Sequence, residues 1–146
     1  MATRFCGLVL GAALAVTAGA GEDHLAILPD TLDWKPIGDQ GAEMAVVYGD
    51  PKAEGVYVMR LRVPQGVKIM PHTHADVWRV STVLSGTLYF GVGPTFEEAD
   101  LVAYPAGTVF TEHPDLQHYA YAKDGPVEAQ LTAMGPTGTT PVKPAE

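Results

Sequence analysis

Beyond residue 20 the chain has no amphipathic stretch long enough for a helix of about ten residues, while β-rich runs of about five to eight residues recur between glycine and proline breakers. Segments this short gain burial by pairing edge to edge and stacking face to face. The pattern therefore restricts the fold to all-β, an antiparallel sandwich or barrel. Residues 42–48 form one such run, closed by the turn residues Gly49, Asp50 and Pro51. Residues 56–63 alternate, with Tyr57, Met59, Leu61 and Val63 on one face and Arg60 and Arg62 on the other, as in a half-buried strand. Further extended runs follow at residues 80–85, 87–90, 108–112, 117–122 and 127–134, and residues 96–100 read as an acidic loop exposed to water. Residues 21–41 read as an N-terminal arm with one short strand near 32–37, plugged onto the body by Trp34; residues 42–136 form the domain and residues 137–146 a loose tail.

With 146 residues and 47% apolar content the chain has room for one domain with a real core. Its first twenty residues differ from the rest. Arg4, an apolar run at residues 8–16 and the small residues 17–20 have the layout of a secretory signal peptide cleaved after Ala20, and the apolar run is too short to span a bilayer. A periplasmic or secreted protein is the expectation. The single cysteine, Cys6, lies in that leader, so the mature chain has no thiolate and any metal must be held by nitrogen and oxygen. The formal net charge of -8, one unit more negative without Arg4, argues against nucleic acid or an anionic membrane as partner.

The chemistry concentrates in residues 66–86. His72 and His74, one residue apart in a segment otherwise built for strand, point to the same side of a sheet and can grip one ion together. His118 follows in the run 117–122. This text resembles the cupin family over about residues 40 to 136. The family's first motif is matched by Gly66, His72, His74 and Gly86, with Arg79 where the family has a glutamate. The second is matched in part: Gly107 opens it, His113, Asp115 and Ala122 stand in its Pro, Gly and Asn places, and His118 is its histidine. The resemblance implies an antiparallel double-sheet jelly-roll barrel. It also implies a divalent metal (iron, zinc, manganese or nickel) on His72, His74 and His118, with positions open for substrate and dioxygen or water, and a homodimer.

Arg79 conflicts with such a centre. A guanidinium has no lone pair to donate, and a dication about 5 Å away would be repelled by roughly 7 kcal/mol at an effective dielectric near 20. Four arrangements relieve the conflict: Arg79 turns out of the barrel, pairs with Asp76 or Glu112, forks an anionic substrate, or forms a surface ion pair. Glu112 and Asp76 are the candidates for a replacement oxygen ligand or a general base. Ala120 and Ala122 share His118's face, where small side chains would leave volume for a ligand, and Tyr119 and Tyr121 point the other way. His113 is expected to be exposed in its turn. The expected function is a metal-dependent reaction on a small anionic organic molecule, of oxygenase, isomerase or hydrolase type, with Glu112 and Arg79 as the catalytic candidates. The alternative is a metal-free barrel that binds a small ligand without turning it over.

Overall fold

The computed structural model describes residues 25–143; the leader, with Cys6, and His24 lie outside them. Among these described residues eleven strands form, in the order β1 (Lys35–Ile37), β2 (Ala42–Tyr48), β3 (Gly55–Val63), β4 (Lys68–His74), β5 (Arg79–Ser85), β6 (Thr87–Val92), β7 (Val102–Pro105), β8 (Val109–Glu112), β9 (His118–Tyr121), β10 (Val127–Gly135) and β11 (Thr139–Pro141). They make two antiparallel sheets, ordered β1-β2-β3-β10-β5-β8 and β11-β4-β9-β6-β7. Among the described residues the only helical turns are two short 3-10 segments, Pro29–Thr31 and Glu98–Asp100. The antiparallel all-β fold expected from the breaker pattern is observed, and its two sheets agree with the double-sheet barrel that the resemblance implies.

The inner faces follow the period of two. On β3, Tyr57, Met59 and Val63 are buried while Arg60 and Arg62 lie outward, bonded across to Gln130 and Glu128 of β10. On β10, Val127, Ala129, Leu131 and Ala133 are buried and alternate with half-buried polar residues. One apolar cluster joins Val63, Val83, Leu88, Phe90, Ala120, Ala122 and Val127; a second joins Tyr57, Met59, Leu131 and Ala133. Each large side chain so enclosed contributes roughly 1.5–3 kcal/mol. Ala120 and Ala122 thus belong to the packed core, and the ligand volume expected beside them is filled by their apolar neighbours.

Gly86 makes the tight turn from β5 to β6: its φ is +75°, and a Cβ there would lie 2.2 Å from the Pro126 carbonyl oxygen. The arm behaves as expected, with β1 pairing β2 and the Arg62 guanidinium stacked 3.8 Å above the Trp34 ring. Tyr119 faces away from the core cluster and lies under Phe96, with its hydroxyl donating to the Glu97 carbonyl.

The tail departs from expectation. Residues 139–141 form β11, which pairs with β4 so that Thr139 lies opposite His74 and Pro141 opposite His72. The Ala75 amide donates to the Gly138 carbonyl, and the Val142 amide to that of Pro71. The outer edge of β4 would otherwise present unpaired backbone groups, and satisfying them holds this polar segment in place.

Candidate metal centre

Pro71 sits inside β4 and has no amide hydrogen to give to a ladder. The β4–β9 register slips there: Ile69 pairs with Ala120, but His72 pairs with His118. Three residues on β4 thus span two on β9, a bulge at Met70 and Pro71 that sets His72 directly across from His118. His74 follows two positions on, on the same face. The ring centroids of the three histidines lie 4.3 to 5.1 Å apart, and one ligand nitrogen from each falls within 4.8 Å of the others.

Hydrogen bonds settle the tautomers. His72 Nδ1 lies 2.8 Å from the Met70 carbonyl oxygen and His118 Nδ1 lies 2.8 Å from that of Leu116. A carbonyl only accepts, so both Nδ1 atoms carry a hydrogen, and in the neutral ring Nε2 is then the atom with the lone pair. His74 Nδ1 is 3.3 Å from Thr139 Oγ1, so its Nε2 also faces inward, 3.1 Å from His72 Nε2. Burial is the main cause that lowers the pKa of His72 to about 4 and of His74 to about 2, and the Arg79 charge adds to it. Both rings are therefore neutral at physiological pH, the state a ligand needs. Phe90 stacks on His118 at 5.2 Å between centroids and walls the site from the core side.

Glu112 enters from β8. Its Oε2 is 3.3 Å from His118 Nε2 and 3.6 Å from His74 Nε2, and its Oε1 accepts from Ser81 Oγ at 2.9 Å. Arg79, directly opposite Glu112 in the β5–β8 ladder, is 6% exposed. Its Nε donates to Asp76 Oδ2 at 2.9 Å, joined there by Nη2, and Nη1 donates to Glu112 Oε2 at 3.4 Å. Nη2 also reaches the Tyr57 hydroxyl and Thr137 Oγ1, while Tyr57 donates to Asp76 Oδ1 at 2.6 Å. Burial, and then the bond to Asp76, holds the Tyr57 phenol above its usual range.

Of the four arrangements open to Arg79, the structure shows the internal pair with Asp76 and Glu112. The pair is buried and not at the surface, and its fork is spent on Asp76. That corrects the expectation that Arg79 binds substrate or takes part in catalysis directly. Asp76, committed to Arg79 and Tyr57, does not serve as the replacement oxygen. His113 is exposed in its turn, as expected. Asp115 there has a φ of +62°, which a glycine adopts without strain and an aspartate tolerates. Sequence reasoning missed Tyr57, Ser81, Thr137 and Thr139. Ser81 was within reach, since it lies two residues beyond Arg79 on the same face of β5.

The sequence matches no protein-family model and no curated protein. Solved structures do resemble it: an RmlC-like cupin from Shewanella frigidimarina, at 17% identity over 74% of this chain and 87% of that one with a TM-score of 0.59, and the polyketide cyclase RemF from Streptomyces resistomycificus, at 12% over 84% and 88% with a TM-score of 0.66. The fold is the cupin fold. Another neighbour, the DMSP lyase DddQ from Ruegeria pomeroyi, is 14% identical over 73% of this chain and 57% of its own, with a TM-score of 0.59. The resemblance read from His72, His74 and Gly86 thus agrees with the architecture.

The donor set fits a metal. Ligand atoms each about 2.1 Å from one ion lie roughly 3.0–3.4 Å apart in octahedral or tetrahedral geometry. The separation of the His72 and His74 Nε2 atoms falls in that range, and the His118 nitrogen lies within 4.8 Å of both, close enough for a small inward shift to complete the trio.

Proposed function

We propose that this protein is a metal-dependent cupin in which His72, His74 and His118 hold one divalent ion and present it to a small organic anion. The observation that carries the reading is the inward convergence of three imidazoles, two of them fixed in the Nδ1–H form by backbone carbonyls. Such an ion polarises a bound carbonyl, acidifies water or, if iron, activates oxygen. The chain's part is to hold the rings neutral, to wall the site with Phe90, and to keep Arg79 drawn back onto Asp76. Formal charges on Asp76, Glu112 and Arg79 sum to minus one, so a dication leaves the centre net positive and suited to an anion. Neighbours with this fold include a polyketide cyclase and a DMSP lyase, which supports turnover of a small molecule. A metal-free binding barrel is less well supported, because it gives the convergence of three imidazoles no common partner. Export through the leader and pairing into a homodimer belong to the same reading; N-terminal sequencing of periplasmic protein and mass in solution check them.

The experiment is metal analysis of protein purified from cells, repeated on His72→Ala and His118→Ala. About one equivalent is expected in the wild type and a small fraction of that in each variant. A wild type that carries no more metal than the variants ends the metalloenzyme reading.

A further inference from the structure

Resting on that metal reading, we propose that Glu112 of β8 is the fourth protein ligand, so that the carboxylate of this centre comes from the strand beside the one where the cupin pattern places it. Arg79 and Glu112 are direct partners in the β5–β8 ladder, so their side chains leave neighbouring strands side by side. The residue on β5 cannot ligate. The residue on β8 comes close to two of the three rings, with Glu112 Oε2 3.3 Å from His118 Nε2 and 3.6 Å from His74 Nε2. It stands outside the trio whose ligand atoms lie within 4.8 Å of one another, so coordination draws it inward toward His72.

The tautomers make that approach informative. His118 Nδ1 gives its hydrogen to the Leu116 carbonyl, so Nε2 offers a lone pair, and it faces a carboxylate oxygen that also only accepts. Two such acceptors, both buried, need a positive charge between them, either a proton on Nε2 or a metal ion. The Arg79 guanidinium does not fill that role. Its Nη1 meets Oε2 at a long 3.4 Å, and its shorter bonds go to Asp76. Ser81 Oγ holds Oε1 at 2.9 Å, which fixes the carboxylate plane, and Oε2, bonded only by the long 3.4 Å contact from Arg79, is the oxygen turned to the rings. Asp76 is excluded as the fourth ligand because Tyr57 and Arg79 occupy both its oxygens.

The test is Co2+ titration of metal-free protein, read by the visible d–d absorption, for wild type, Glu112→Gln, Glu112→Asp and His118→Ala. Gln keeps an acceptor for Ser81 but loses the anionic ligand. Co2+ affinity is expected to fall at least about 10- to 100-fold, with a changed band shape. Asp keeps the charge that pairs with Arg79 while drawing the carboxylate back from the ion, so if the Gln variant does not fold, the Asp variant decides; it too is expected to bind more weakly with an altered band. Wild-type affinity and spectrum in both folded variants overturn the proposal, since a general base outside the coordination sphere gives that result. If His118→Ala abolishes binding while the Glu112 variants match wild type, only this proposal falls. If wild type binds no Co2+, the three-histidine reading falls with it.

Discussion

Arg79 is a cation buried between two carboxylates, Asp76 and Glu112, and its value to the protein is set by what its removal leaves behind. Deleting one partner of a buried ion pair strands the others, so Arg79→Ala is expected to lower the stability of metal-free protein by about 3–5 kcal/mol in urea unfolding. Zinc is expected to restore more stability to that variant than to the wild type, because the ion then becomes the only cation beside Glu112. The histidines give a second expectation, in pH. Each takes a proton in the unfolded chain near pH 6.5, whereas in the folded protein burial delays His72 to about 4 and His74 to about 2. The unfolded state therefore binds more protons between those values, and metal-free protein loses stability as pH falls from about 6.5 toward 4. Melting temperatures across that range show the loss, and a His72→Gln, His74→Gln double variant shows a flatter slope. An identical slope in the double variant would assign the pH response to other groups.

At the scale of elements, the site is assembled by two irregularities in β4. The bulge at Met70 and Pro71 brings His72 opposite His118, and β11 covers the strand's outer edge. Removing residues 137–146 takes away Thr139 beside His74, Thr137 beside Arg79 and the partner of the β4 edge together. The truncated chain is expected to bind Co2+ about tenfold more weakly and to melt at lower temperature, whereas Thr139→Val alone has a smaller effect on affinity. Equal affinity in the truncated protein would make β11 a cover with no part in the centre. What the sequence discloses here follows its local periods. Alternation places His72 with His74 and orients Tyr57, Met59 and Val63 inward, and Pro71 within a strand is a written sign of a bulge. The Arg79–Glu112 pairing could be named from the sequence only as one option among several, because choosing it depends on the register between strands whose residues lie 33 apart. The space beside Ala120 and Ala122 depends on Phe90 and Val83 filling it, a matter of three-dimensional packing that no local period records. The tail reads as loose by composition and is ordered by the edge it meets.

Over the whole molecule, charge and site oppose each other. The formal net charge of -8 repels anions at long range, and the buried trio of Asp76, Glu112 and Arg79 leaves an empty centre net negative. A dication among the histidines reverses the local sign at the one place where the rings converge. An anionic ligand should therefore bind only the loaded protein, and more weakly as salt screens the local field. The expected outcome is a thermal shift: a small carboxylate at about a hundred times its dissociation constant stabilises the zinc-loaded protein by about 2.7 kcal/mol, a rise of several degrees for a domain of this size. Neither the metal-free protein nor His118→Ala should respond. A carboxylate that shifts metal-free and loaded protein equally would place its site away from the histidines, and neutral ligands that shift the loaded protein as well as carboxylates do would remove charge as the basis of selection.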